Sequence, residues 1–385
     1  MIQTAFPYLS ILLFIASILV YIEDKSRVKL FEYLPAIVIL YFTVMTLSSL
    51  ELWIKTDEIN STYKAFKSNL LPAMIFLMLL QTDIRKILKL GKKILLTFFL
   101  ASFSISLGFI IMFAILHNFF EDGAWKAFGA LSGSWMGGTG NMVAIQSALN
   151  LPDSSMGYVL LIDSIDYAIW VMILLSLVPF ASHFNQWTKA NSSVLDTLTK
   201  KLDVKEKISI DFPSIFMLLG LALMVSLFSQ EIATLLPTTS FLTKTTWVVI
   251  SATIIGILFG MTPLSRHSSA SVLANIMLYL IVALIASRAN FSELTQAPIY
   301  IMAGFMIISI HGAIMIIFAK LFKLDLFSLG VASLANIGGV ASAPILAGAY
   351  HKALIPVGVL MAMMGYIIGT FMGLGVSKLL MTIAS

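Results

Sequence analysis

Long apolar runs separated by short polar breaks fill almost the whole chain. A helix rising 1.5 Å per residue needs about 20 apolar residues to cross the hydrocarbon layer. That window marks twelve segments: 6–22, 34–53, 69–82, 93–117, 124–149, 155–182, 212–229, 245–262, 269–287, 296–319, 326–350 and 353–381. The sizeable polar tract, 183–211, falls between the sixth and the seventh and carries Lys189, Lys200, Lys201, Lys205 and Lys207 among Asp196, Asp203 and Glu206. The pattern predicts an all-α polytopic membrane protein: an N-terminal repeat over 1–182, a cytoplasmic linker over 183–211 and a C-terminal repeat over 212–385.

Two of the apolar segments are broken by glycine pairs, in Trp135-Met136-Gly137-Gly138-Thr139-Gly140-Asn141 and in Asn336-Ile337-Gly338-Gly339-Val340-Ala341-Ser342. Laid over one another, Ser132 falls on Ser333, Gly137 on Gly338, Gly138 on Gly339 and Asn141 on Ser342. Each half therefore reads as scaffold helices followed by a core that holds one Gly-Gly motif. Lysine and arginine decide how the halves are oriented, because cytoplasmic loops collect them. If both glycine-broken segments cross fully, the basic residues divide about 13 to about 11 between the two faces, which is no bias. If each enters and leaves on one face, they divide about 17 to about 7, with the N-terminus outside. The expectation is two inverted repeats, each with an interrupted helix or re-entrant hairpin at its Gly-Gly motif. A broken crossing helix fits the same bias if one crossing elsewhere is miscounted.

Composition agrees: 59% of residues are hydrophobic, 11% are charged and the mean hydropathy is +0.97, far from the roughly one-quarter charged composition of a soluble domain. The net charge of +5 sits in loops between spans, so nucleic acid is not expected as a partner. With no cysteine, thiolate metal sites, disulfides and a Cys nucleophile are excluded. The first apolar run lacks a basic leader and a small-residue cleavage site and reads as a retained helix. No Walker loop, HExxH or Gly-x-Ser-x-Gly elbow occurs, and the histidines at 117, 183, 267, 311 and 351 are scattered. An enzyme is not expected, nor any cofactor beyond Na⁺ or H⁺ as a coupling ion.

Backbone broken at membrane depth must have its polar groups met by protein, water or ligand. Freed carbonyls then suit cations and freed helix N-termini suit anions. The candidate substrate- and ion-binding residues are accordingly Gly137, Gly138, Thr139, Gly140, Asn141 and Gln146 in the first motif and Asn336, Gly338, Gly339 and Ser342 in the second, with Na⁺ expected at Thr139, Asn141 and Ser342. Glycines there that only allow tight helix packing are the competing explanation. Asp163 and Asp166, three apart on one helix face, are candidate coupling acids, because a carboxylate at membrane depth is costly to keep ionised and usually serves an ion or proton. Solvating a vestibule is the alternative. Met364 and Ile367 stand at the matching places of the second half, so the acids have no second copy. His311 is a weaker candidate, more often a packing residue than a relay. Asp83, Arg85 and Lys86 read as an interfacial anchor.

The stretch from Leu70-Leu71-Pro72 through Gln81-Thr82-Asp83-Ile84-Arg85-Lys86, followed by Ser134-Trp135-Met136-Gly137-Gly138-Thr139-Gly140-Asn141-Met142-Val143-Ala144, resembles the YjcL-like family of uncharacterised integral membrane proteins. The resemblance covers nearly the whole chain and implies kinship with the bile acid:sodium symporter and cation/proton antiporter superfamily. Those proteins share inverted repeats and crossed, interrupted helices moving against a scaffold. The resemblance sets Met136 to Asn141 on the symporters' crossing motif, with Met136 where they have proline. It sets Asp163 or Asp166 where the antiporters carry the coupling ion.

The expected function is a secondary active transporter, a Na⁺- or H⁺-coupled symporter of a small organic anion such as an amino acid, short peptide or carboxylate. A cation/proton antiporter is the first alternative, and a channel or non-transporting membrane scaffold the second. Expected partners are the ion or small-molecule substrate and the lipid bilayer, with a homodimer left open. The expected location is a bacterial-type cytoplasmic (inner) membrane.

Overall fold

A computed structural model describes residues 1–25, 35–190, 209–290, 295–351 and 354–385. Most of the expected linker 183–211 lies outside these. The helices are α1 (Ala5–Lys25), α2 (Ala36–Ser49), α3 (Asp57–Leu80), the single turn α4 (Ile84–Ile87), α5 (Lys92–Leu116), α6 (Ala124–Gly137), α7 (Thr139–Ala148), α8 (Met156–Leu177) and α9 (Ala181–Thr188). After the linker come α10 (Phe212–Leu235), α11 (Lys244–Gly260), α12 (Ser269–Ala286), α13 (Ala297–Phe322), α14 (Leu326–Ile337), α15 (Gly339–Tyr350) and α16 (Ile355–Ala384). Among the described residues there is no sheet, only one bridge between Ile2 and Trp53.

All twelve apolar segments become helices, and the two glycine-broken ones become pairs, α6–α7 and α14–α15. Seven helices among the described residues are long and apolar enough to cross a membrane, α16 among them. Large apolar side chains such as Phe14, Phe103, Phe216, Phe228 and Ile317 face outward, as a lipid-exposed surface requires. Several helix starts are fixed locally: Thr56 caps α3, Asp211 caps α10 and Asp325 caps α14, each through a backbone N–H three residues on.

The packing draws on helices from before and after the linker. Helices α1 to α3 pack with α10 to α12, while α5 to α9 pack with α13 to α16. In the second bundle Gly108 of α5 lies against Ile307 of α13, and Ser104 bonds His311. As one number rises the other falls, so the two corresponding helices run antiparallel. Charged loops gather at two ends. Lys93–Asp325 (3.0 Å) and the contacts of Arg85 with Met261 and Lys320 with Trp187 mark one end. Lys67–Asp153 (2.9 Å), Arg288–Asn60 (2.6 Å) and Tyr8–Ser287 (2.5 Å) mark the other. These are called the Asp325 end and the Asp153 end below.

Candidate functional site

The chain reverses at Gly138. Gly129 faces Leu149, Gly133 faces Ile145 and Gly137 faces Asn141, so α6 and α7 lie side by side and antiparallel. The reversal needs φ +81° and ψ 173° at Gly138, a region that side chains forbid. The second pair turns back in the same way, with Gly330 against Leu346 and Gly338 against Ser342, and the positive φ (+59°) falls at Gly339.

Each pair is held by the helix that follows the other. Beside α6, helix α16 brings Gly365, Gly369 and Gly373 against Met136, Gly137 and Gly133. The approach is backbone to backbone: a Cβ on Gly369 would stand 2.6 Å from Gly137 Cα. Beside α14, helix α8 brings Tyr167 against Gly338, Leu174 against Gly330, and Trp170 Nε1 donates to Ser333 Oγ at 2.8 Å. The first arms of both pairs end on Gly365, where a Cβ would meet the carbonyl oxygens of Met136 (3.0 Å) and Ala335 (3.4 Å).

Asparagines brace the two ends. Asn141 Nδ2 donates to the Gly137 carbonyl at 2.5 Å, and Thr370 Oγ1 of α16 donates to Asn141 Oδ1 at 2.6 Å. Asn336 Nδ2 donates to the Ala332 carbonyl at 2.9 Å, and Ser102 Oγ of α5 donates to Asn336 Oδ1 at 2.7 Å. Thr139, Asn141 and Ser342 do not converge in the described contacts. The amide of Asn141 is committed, and Ser342, its buried hydroxyl beside Tyr167, lies with Gly338 on the other pair. Gly140 abuts Met78 of α3, where Ile75, Met78, Leu79, Gly140, Asn141 and Tyr366 line a cavity of about 10 Å³. Gln146 sits at the far end of α7, where its Nε2 donates to the Leu151 carbonyl (3.1 Å) and to Asp153 (2.9 Å).

The two acids of α8 differ sharply. Asp163, half-buried, accepts from Ser134 Oγ and from Trp135 Nε1, both at 3.0 Å, and so ties α8 to the end of α6. Asp166 is fully buried, and neither of its oxygens has a hydrogen-bond partner. Its carboxyl fills a notch in α13 where any Cβ on Gly304 would overlap Oδ2. Two turns earlier on α8, Tyr158 stacks on Tyr300 at 4.1 Å, and Tyr300 stacks on Phe128 at 5.1 Å. These rings lie along α8 between Asp166 and the Asp153 end.

His311 is fully buried, with Nδ1 at 2.7 Å from Ser104 Oγ and Nε2 at 2.7 Å from Ser333 Oγ. One arrangement satisfies every group. Trp170 donates to Ser333, Ser333 to Nε2, Nδ1–H to Ser104, and Ser104 to the Ala101 carbonyl. The ring is then neutral and joins α5, α13, α14 and α8 as a structural strut. Sequence reasoning missed Thr370, Ser102, Tyr167 and the glycines of α16. The last had a visible signal, because Gly365, Gly369 and Gly373 recur every four residues, the spacing of closely packed membrane helices.

Apolar helices with a lipid-facing exterior, two reversed helix pairs and a buried unpaired acid define a polytopic helical membrane protein. The chain belongs to a family of proteins of unknown function (DUF819), whose pattern matches residues 10–383. It is similar to an uncharacterized membrane protein, YjcL, of Bacillus subtilis (strain 168), with 26% identity over 330 residues that cover 82% of this chain and 82% of the relative.

Proposed function

We propose that the protein is a secondary active transporter, an H⁺- or Na⁺-coupled symporter of a small organic anion, in which the α5–α9/α13–α16 bundle moves against the bundle of α1–α3 and α10–α12. In this reading α6–α7 and α14–α15 are re-entrant hairpins entering from opposite faces. Each half then crosses five times, and the halves are inverted in a cytoplasmic membrane with the N-terminus outside. The antiparallel run of α5 and α13 supports inversion. More basic residues gather at the Asp325 end (Arg85, Lys86, Lys89, Lys92, Lys93, Arg266, Lys320 and Lys323) than line the Asp153 end, which supports putting the former in the cytoplasm.

The observation that carries the reading is Asp166, a buried carboxyl without a partner between two long helices. Such a group has a large cost in the ionised form, which suits a site that takes up and releases a proton as its helices part. Asp163 holds the adjacent reversal in register with it. The test is uptake of organic anions into proteoliposomes under a pH or Na⁺ gradient: Asp166→Asn should abolish coupled uptake while the purified chain stays folded. Undiminished coupled uptake in that variant would remove Asp166 from the mechanism. A cation/proton antiporter is the second reading, favoured by the cavity of about 10 Å³ at Gly140, which holds no organic molecule in this conformation. Proton efflux driven by Na⁺ with no organic anion present would select it.

A further inference from the structure

At the Asp153 end, groups from both bundles converge on one carboxylate. Lys67 Nζ of α3 and Gln146 Nε2 of α7 donate to Asp153 Oδ1, each at 2.9 Å, and the Tyr63 hydroxyl of α3 donates to Oδ2 at 2.5 Å. Tyr41 of α2 adds a bond to the Asp153 carbonyl at 3.1 Å. Asp153 itself sits in the short turn Asp153–Ser155 between α7 and α8, so its carboxylate joins the two bundles through a short connecting segment. Charge-assisted bonds of this kind are the strong ones.

Room and charge lie beside it. A cavity of about 490 Å³ is lined by Tyr63, Lys67, Gln146, Asp153 and Lys244 among others. A second, of about 660 Å³, shares Tyr63 and Asp153 and adds Lys55 and Arg288. Among the described lining residues, Lys55, Lys64, Lys67, Lys244 and Arg288 face these spaces against the carboxylates of Asp57 and Asp153, a surplus that draws anions in. Two buried polar atoms there have no partner. Gln146 Oε1, on a residue 1% exposed, accepts nothing, and Arg288 Nε donates to nothing. Leaving such groups unmet is costly, so the pocket is chemically incomplete as it stands.

We propose that this pocket is a recognition site for a small organic carboxylate, and that Asp153 is its built-in occupant in the conformation described. An incoming carboxylate takes Lys67 and Tyr63 in place of Asp153, and the turn then swings away. A ligand that also carries an N–H donor meets Gln146 Oε1, which makes an amino acid the best fit. Binding therefore unlatches the two bundles at this end. The purpose of the site rests on the transport reading, but its chemistry does not.

The test measures binding, with glycine as probe, acetate as the carboxylate without the amine, and methylammonium chloride as the control for the amine and for ionic strength. In the full-length purified chain, Asp153→Ala empties the seat. Glycine should then raise the unfolding temperature at about tenfold lower concentration than in the unchanged chain. Acetate should do so more weakly, methylammonium chloride should not, and Lys67→Met added to Asp153→Ala should remove the response. A folded Asp153→Ala chain indifferent to glycine and acetate, or one whose response survives Lys67→Met, overturns the proposal. Should Asp153→Ala not fold, the absence of cysteine from the chain allows a single Ser147→Cys reporter, since Ser147 lines the smaller cavity. Glycine should speed its labelling by a water-soluble maleimide at least severalfold, and an unchanged rate sinks the site. Neither readout needs a gradient. Binding without uptake would drop the transport reading and leave the site standing, and uptake without binding would do the reverse.

Discussion

The two glycine-broken pairs are built alike and used differently. In α6–α7 the second arm is buried along nearly its whole length: Gly140 lies against Met78 of α3, and Thr246 of α11 donates to the Ala148 carbonyl at 3.0 Å. In α15 burial is confined to Gly339, Ser342, Ala343, Leu346 and Ala347, while Ile345 is 64% exposed. Its main neighbours are α14, α16 and α8, all in its own bundle. The second arm of one pair is thus clamped between the bundles, whereas the second arm of the other is part-exposed on its own bundle. With Asp153, Tyr63 and Lys67 also joined at the same end, the seam is closed at the Asp153 end. If the bundles rock, the first pair must lose the most contacts and the second must gain them.

The largest difference to test lies at the reversals. Gly369→Val sets a branched side chain whose Cβ would stand 2.6 Å from Gly137 Cα and 3.0 Å from the Asn141 amide. Overpacking of that kind costs about 3 kcal/mol or more, read as a fall in unfolding temperature or a failure to fold. Gly339→Ala meets nothing within 4 Å and strains only φ, for about 1–2 kcal/mol. Equal losses would mean that the pairs are packed alike after all.

Next come the acids of α8, of which Asp163 touches the first pair and Asp166 lies against Gly304 of α13. Asp163→Asn weakens the bonds from Ser134 and Trp135 and should cost about 1.5–3 kcal/mol in chemical unfolding. Asp166→Asn breaks no bond and should leave stability level or raised while transport is lost. A large stability loss at Asp166 would point to a partner that this conformation does not reveal.

Thr370→Val and Ser102→Ala remove corresponding braces, from Asn141 in the first pair and Asn336 in the second. Each leaves a buried amide oxygen short of a donor at about 1–2 kcal/mol, and thermal unfolding of the two variants should agree. The smallest effect is expected at Ser342→Ala, whose buried hydroxyl lies beside Tyr167 and makes no well-aligned bond. Its stability should change by less than about 0.5 kcal/mol, and a larger loss would reveal a bond formed in a second conformation.

Much of this was legible beforehand. Helix formation followed from apolar runs, and the Gly-Gly pairs marked where two helices break, because local composition decides both; whether the chain crosses or turns back there depends on packing that composition does not carry. The unequal roles of Asp163 and Asp166 were not legible, since both sit on one helix face and differ only in what the fold sets opposite: Ser134 and Trp135 for one, the Gly304 notch for the other. Gln146, near in sequence to Asn141, belongs instead to the Asp153 pocket, because α7 carries it away from the reversal. The strut at His311 depends on Ser104 and Ser333, more than 200 and about 20 residues away, and no spacing rule joins them.

The most direct measurement is gradient-driven uptake of amino acids and small carboxylates by proteoliposomes holding the unchanged chain or Asp166→Asn. The account predicts uptake that follows an imposed pH or Na⁺ gradient in the first and none in the second. No uptake of any tested anion or ion by the unchanged chain, or equal gradient-driven uptake by both, would contradict it.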